Sequence, residues 1–149
     1  MKDVVKARPI VRQIRSDKHV RKAFSIRLRV FVREQGVPED IELDRDDETA
    51  THFLAVVGAN AVGTARVVMR NGSAKIGRMA VLKSYRRKGV GAELLKKAVR
   101  LARRRKAKRI FLNAQVPVIG FYEKMGFRCV GRVFDEAAIP HRKMVLLKS

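Results

Sequence analysis

The sequence predicts an α/β fold built around one central mixed sheet, and two patterns predict it. Three short strand-like runs follow one another between residues 52 and 82, separated by turn residues, as an antiparallel meander; after them helical and strand-like periodicities alternate as helix, strand, helix, strand, strand. With 149 residues, 46% of them hydrophobic, the chain has the size of one ordinary domain with a real core. No repeat, linker or low-complexity stretch divides it, so a single domain over residues 1–149 with a single site is expected.

Taken in order, Arg8 to Ile14 alternates basic and apolar residues, and Pro9 near its start marks an edge strand. Asp17 is placed to cap the next helix. From Lys18 to Arg33 the residues Val20, Ala23, Phe24, Leu28 and Phe31 recur at helical spacing, and Gly36 and Pro38 end the pattern. The acidic stretch that follows reads as a loop. His52 to Gly58 and Ala61 to Arg70 then form two strands joined through Gly58, Ala59 and Asn60, and Asn71-Gly72 turns the chain into a third strand, Ala74 to Leu82. After Lys83 to Lys88, Gly89 opens a helix whose buried stripe is Val90, Leu94, Leu95, Ala98 and Leu101 or Ala102. Ile110 to Ala114 is a short strand. Pro117 suits the first turn of a helix that reaches Met125 and stops at Gly126, and two strands, Phe127 to Phe134 and Arg142 to Leu147, close the chain.

Composition narrows the function. One cysteine, Cys129, excludes an internal disulfide and reads as a small core filler; with only three histidines no zinc spacing can be assembled, so no metal is expected. No apolar run spans a bilayer and no signal-type h-region follows the charged N-terminus, which points to the cytoplasm and away from membranes. The formal charge of +21 predicts attraction to polyanions. Its distribution is uneven: Lys83 to Arg109 holds thirteen bases and one acid, Glu93, whereas Glu39 to Glu48 holds seven of the fourteen acids.

Arg86-Arg87-Lys88-Gly89-Val90-Gly91 lies between a strand and a helix, so its backbone amides are the unpaired donors of a helix N-terminus, a place suited to an anion. Side chains at the glycines would hold the backbone away from a phosphate. The stretch is neither a G-x-x-x-x-G-K-[ST] loop nor a three-glycine dinucleotide turn.

With the preceding strand, Gly77-Arg78-Met79-Ala80-Val81, this R-x-x-G-x-G stretch resembles the coenzyme A motif of GNAT acetyltransferases. Phe121-Tyr122-Glu123-Lys124-Met125-Gly126-Phe127 matches the F-Y-x-x-x-G-F segment of the same superfamily, at the expected distance downstream. The resemblance covers residues 8–147. It implies the GNAT acyl-CoA N-acyltransferase fold, a mostly antiparallel mixed sheet flanked by helices, and acetyl-CoA as co-substrate. It further implies that amides of Arg87, Lys88, Gly89, Val90, Gly91 and Ala92, with Arg86 at the head of the motif, hold the pyrophosphate. The pantetheine arm would lie along Met79 and Val81, where the fourth and fifth strands splay, with an amide near Met79 or Ala80 polarising the thioester carbonyl. Asn113 and Lys124 join Tyr122 among the expected cofactor neighbours.

In such a site Tyr122 is the expected proton donor to the leaving thiolate, against the plainer role of an aromatic packing on the sheet. The base is left among His141, Glu136 and Glu34. Phe134 to His141 resembles the E-x-G-I-P-H segment of a bacterial branch of the superfamily, as do Arg33 to Pro38 and Asn113-Ala114-Gln115 its other segments; that branch usually has glycine where this chain has Ala138. The expected reaction is direct transfer of an acetyl group to a primary amine of a small molecule or peptide. The acidic stretch, Asp44, Asp46 and Asp47 above all, either holds a cationic acceptor or bridges to the protein's own bases, and Arg29 and Arg33 leave room for a phosphorylated amino sugar. The alternative is a basic nucleic-acid- or ribosome-binding protein on a GNAT scaffold with weak or lost catalysis, using Lys83 to Arg109. It lacks reading equipment: no RNP box or recognition helix is present. A homodimer through edge strands near Arg142 to Leu147 is a further expectation.

Overall fold

The computed structural model describes residues 8–147. Seven strands form one sheet: β1 (Ile10–Ile14), β2 (Thr51–Val57), β3 (Asn60–Arg70), β4 (Ser73–Val81), β5 (Arg109–Gln115), β6 (Phe127–Glu136) and β7 (Ile139–Leu146). Their order is β1-β2-β3-β4-β5-β7-β6, and every neighbouring pair is antiparallel except β4–β5. This is the mixed, mostly antiparallel sheet the sequence predicts, with the meander β2-β3-β4 inside it and β1 at one edge. The expected dimer edge is not one: β7 lies between β5 and β6, and β6 forms the edge.

Helices cover both faces. On one, α1 (Asp17–Arg27) continues into a π-helical segment over Leu28–Glu34 and then a single turn, α2 (Glu39–Glu42). On the other, α3 (Val90–Arg104) and the short α4 (Ile119–Lys124) pack with the larger core cluster, which joins Leu94, Leu95, Ala98, Leu101 and Ala102 to Ile76, Leu112 and Met144. Both Leu101 and Ala102 are buried. The smaller cluster under α1 holds Ile14, Ala23, Ile26, Val30 and Leu54, so the helix buries Ile26 and Val30, two positions outside the stripe read from the sequence. The cap of α1 is Ser16, whose Oγ accepts from the His19 amide; Asp17 is the first helical residue, not the cap. In the π segment the Gln35 amide reaches the Val30 carbonyl, a five-residue step that widens the last turns.

Two departures in the strands position the site. Pairing of β4 with β5 runs only from Ser73–Arg109 to Ile76–Leu112, and beyond it the two parallel strands separate. Over the same stretch β4 carries a bulge against β3, between the Arg66–Gly77 and Thr64–Ala80 pairs, with Arg78 at φ +49°. A bulge shifts side-chain alternation by one. Ala74 and Ile76 face α3, but beyond the bulge Met79 and Val81 face α3 while Ala80 joins the core under α1. Cys129 is half-buried and packs against the larger cluster.

Candidate active site

The loop after β4 builds the first part of the site. Arg87 and Gly89 both have left-handed backbone, at φ +62° and +84°, and Lys88 lies between them, so the chain curls before Val90 begins α3. Such a curl turns successive amides toward one side. The first helical bond is donated by Glu93 to the Gly89 carbonyl. Among the described residues, no carbonyl or side chain accepts from the amides of Arg87, Lys88, Gly89, Val90, Gly91 or Ala92. Six free donors at the positive end of a fifteen-residue helix fit the diphosphate of coenzyme A.

Arg86 faces the other way. Its Nε donates to the Val81 carbonyl at 2.8 Å, and its Nη2 lies 2.8 Å from both carboxylate oxygens of Glu34 at the end of the π segment. Two predicted residues are thereby committed to each other: Glu34 is an ion-pair partner rather than a free carboxylate. The Val81 carbonyl keeps one lone pair for a ligand running along β4. Ala80 is buried, and its neighbour Met79 is half-buried at the bulge.

Tyr122, on α4, reaches this strand. Its hydroxyl donates to Met79 Sδ at 3.6 Å, and its ring meets Phe121 and Phe127 edge-on. Burial pushes the phenol up to about 12. Burial thus disfavours the phenolate, and the hydroxyl stands as a hydrogen-bond donor beside β4. Lys124, two residues on, is exposed at the end of the helix.

The remaining candidates come together across the splay. Asn113 and Gln115 alternate on β5 with the buried Leu112 and Ala114, so they face the α1 side. In register, Gln115 lies opposite His141 of β7, and His141 opposite Phe134 of β6. His141 Nδ1 lies 2.6 Å from the Ile139 carbonyl; a carbonyl only accepts, so Nδ1 carries a proton, and in the neutral ring the lone pair sits on Nε2. That Nε2 is 3.7 Å from Glu136, whose other oxygen accepts from Asn113 Nδ2 at 3.2 Å. Phe134 stacks on the imidazole with centroids 6.0 Å apart. Of the three candidate bases, His141 and Glu136 therefore share one site while Glu34 is held elsewhere. Ala137 and Ala138, at φ +52° and +61°, form the turn that aims this cluster, a conformation suited to the glycine expected at 138.

Sequence reasoning missed the link from helix to sheet. Gln35 and Gln115 exchange two side-chain hydrogen bonds, at 2.8 and 3.3 Å, and with the Glu34–Arg86 pair they tie the π segment to both sides of the splay. The π turn that delivers Glu34 and Gln35 there has no periodicity signal that separates it from an α-helix.

The acidic stretch departs from the loop read in the sequence. It is not a free loop but α2 followed by a 3-10 turn over Arg45–Glu48, and its carboxylates fold onto arginines. Arg27, 1% exposed, donates to Glu42 at 2.5 Å and to Asp47 at 2.7 Å; Arg66 donates to Asp44 at 2.6 Å and to Asp47 at 2.9 Å. Arg78, from the bulge, adds Glu42 and Asp44, and Arg70 takes Asp46. Burial alone would raise the Asp47 carboxyl, but its bonds from Arg27, the Asp44 amide and Arg66 lower it to about 2. The hydrogen bond from Arg66 likewise holds Asp44 low, against the opposing effect of burial. Asp44, Asp46 and Asp47 are thus spoken for by the protein, and the expectation that they hold a cationic acceptor is withdrawn. Arg29 and Arg33 are exposed on the π segment.

No group of three or more His, Cys, Asp or Glu residues among those described is placed to hold a metal ion. No helix among the described residues is long and apolar enough to cross a membrane. A family model described as an acetyltransferase (GNAT) domain matches residues 14–148. The chain is 36% identical over 132 residues to the Bacillus subtilis protein named Uncharacterized N-acetyltransferase YjcF, covering 88% of this chain and 94% of that one. It is 32% identical over 122 residues to Escherichia coli Protein ElaA, covering 78% and 79%. The ElaA crystal structure superposes with a TM-score of 0.82 at 26% identity, over 95% of this chain and 99% of that one. A GNAT family acetyltransferase from Elizabethkingia anophelis, solved with acetyl-CoA bound, shares the fold with a TM-score of 0.71 at 15% identity, over 92% and 94%.

Proposed function

Because the chain belongs to the GNAT acetyltransferase family, whose members transfer an acyl group from acyl-coenzyme A, we propose that it is a cytoplasmic N-acetyltransferase using acetyl-CoA and a primary amine of a small molecule or peptide. One observation carries this reading. The unpartnered amides of residues 87–92 stand at the head of a splay that has Tyr122 on one face of the sheet and the His141–Glu136–Asn113 cluster on the other.

The residues divide the work by face. Amides of the curled loop hold the diphosphate, and the splayed stretch of β4 offers backbone groups to the pantetheine arm. Acetyl-CoA, when bound, supplies the acetyl group as an activated thioester. An amide at Met79 or Ala80 stabilises negative charge developing on the carbonyl oxygen, a donor of the kind worth ~3 to 4 kcal/mol. Tyr122 directs its hydroxyl at the leaving sulfur and hydrogen-bonds the departing thiolate, which takes up the second proton that the amine nitrogen loses as the amide forms. On the opposite face His141 accepts the proton of the attacking ammonium at Nε2, and Glu136 stabilises the imidazolium that results. Direct transfer follows from having donor and acceptor sides on opposite faces of one opening, with no covalent nucleophile needed.

The test is thiol release from acetyl-CoA against a panel of primary amines. Release that depends on the amine supports the reading; release no faster with any amine than with water refutes it. Tyr122→Phe should lower kcat by about 10- to 100-fold with little change in KM for acetyl-CoA, the range for losing one hydrogen bond to a charged leaving group. An unchanged kcat removes Tyr122 from the reaction.

A further inference from the structure

The charge of the chain is not spread evenly over the folded surface. Glu34, Glu42, Asp44, Asp46 and Asp47 are consumed by Arg27, Arg66, Arg70, Arg78 and Arg86. Lys96 to Arg109 presents nine bases, and among the described residues the only carboxylate paired with any of them is Glu93, with Lys96. On α3, Lys96, Arg100 and Arg104 stand one above another at four-residue steps, about 6 Å apart along the axis, with Arg103 beside them. They rim a groove of about 500 Å³ floored by Val99 and Met125. From the end of α3 the cations continue onto the connection into β5, through Arg105, Lys106, Lys108 and Arg109, all exposed. The groove is lined by α3 from Leu95 onward, while the free amides lie at the start of the helix, where Gly91 is close to Phe121.

We propose that this stripe is a docking surface for the phosphodiester backbone of a nucleic acid, bound without regard to sequence and separately from the acyl-transfer site. The lining of the groove decides among polyanions. Among the described residues its side chains are cationic or aliphatic, with no amide or hydroxyl to pair with a peptide backbone, whereas a phosphodiester chain asks only for cations in a row. Among the described residues, the exposed large hydrophobic near this end of the sheet is Leu147 alone, too little apolar surface for insertion into a lipid layer. The groove has no aromatic ring on which to stack a base, so recognition is of the backbone and sequence-independent.

The experiment is fluorescence anisotropy of a labelled mixed-sequence single-stranded RNA titrated with the full chain over a range of KCl concentrations. The R100Q/R103Q/R104Q variant changes only exposed positions and keeps its fold, checked by its melting temperature. With ~0.7 of log–log salt slope per single-strand contact, its slope falls by about 2 and its affinity at 0.1 M salt by about 100-fold. An R12Q/R15Q/R21Q control makes the same charge change at exposed positions on β1, the β1–α1 connection and α1 and loses about threefold or less. Equal losses in the two variants would reduce the effect to net charge and overturn the proposal, as would no RNA binding by the wild type at 0.1 M salt. Displacement of the RNA by polyglutamate at equal charge concentration would make an acidic polypeptide the occupant instead. Tighter binding to phosphatidylserine vesicles than to RNA would make it a membrane. Weakened coenzyme A binding in R100Q/R103Q/R104Q would make the stripe part of the acyl-donor site.

Discussion

Gly89→Ala separates the needs of the fold from those of the ligand. A Cβ at residue 89 meets nothing within 4 Å, so the protein itself does not exclude it. What it opposes is the backbone: φ at 89 is +84°, and a non-glycine residue held there costs about 1–2 kcal/mol. For a chain of this length that lowers Tm by roughly 2–8 °C. In the proposed binding mode the diphosphate approaches the amides of Lys88 to Gly91 through the empty space around that Cβ. Coenzyme A at 100 times its wild-type Kd stabilises the wild type by about 2.7 kcal/mol; a tenfold weaker site retains about 1.4 kcal/mol at the same concentration. Gly58→Ala is the control, since residue 58 also has left-handed backbone, at φ +60°, and open space, but in the β2–β3 turn. Thermal unfolding with and without coenzyme A reads both. Similar losses of Tm are expected in the two variants, with the ligand-induced shift at least halved in Gly89→Ala and intact in Gly58→Ala. An undiminished shift in Gly89→Ala would refute the placement of the diphosphate.

Glu42→Gln should destabilise the chain by about 1–3 kcal/mol, read by urea unfolding, because it leaves Arg27, which is 1% exposed, with Asp47 as its remaining carboxylate; a loss under 1 kcal/mol would make the network dispensable. Asp47 has its folded value lowered from 3.8 to about 2, so its contribution is complete above pH 3.8 and lost as pH falls from there toward 2. Asp47→Asn should therefore flatten the fall of stability across that window, by about 1–2 kcal/mol after allowance for solvent screening, and an unchanged acid profile would contradict the pairing. Ala138→Gly should raise stability by about 1 kcal/mol by relieving left-handed backbone in the β6–β7 turn; a loss of stability would mean that the turn has another shape.

The fold was legible where periodicity and turn chemistry agree. Asn71-Gly72, the stripe from Val90 to Ala102 and the Gly126 stop each appear where the residues put them. The loop from Arg86 to Gly91 was legible because a helix start makes free amides whatever surrounds it. Pairings between distant segments were not. Glu34 read as a candidate base, yet Arg86 lies 52 residues away and claims it. The acidic stretch read as a loop because seven acids in ten residues look solvated, and only the folded chain brings Arg27, Arg66 and Arg78 to one place. The bulge at Arg78 has no residue signature either, although it decides that Met79 and not Ala80 meets Tyr122.

Residue-resolved amide hydrogen exchange with and without coenzyme A tests the central claim most directly. Slowed exchange confined to the amides of Arg87 to Ala92 and to the splayed part of β4 is the predicted result. Protection that appears elsewhere, with those amides exchanging as freely as before, would contradict it.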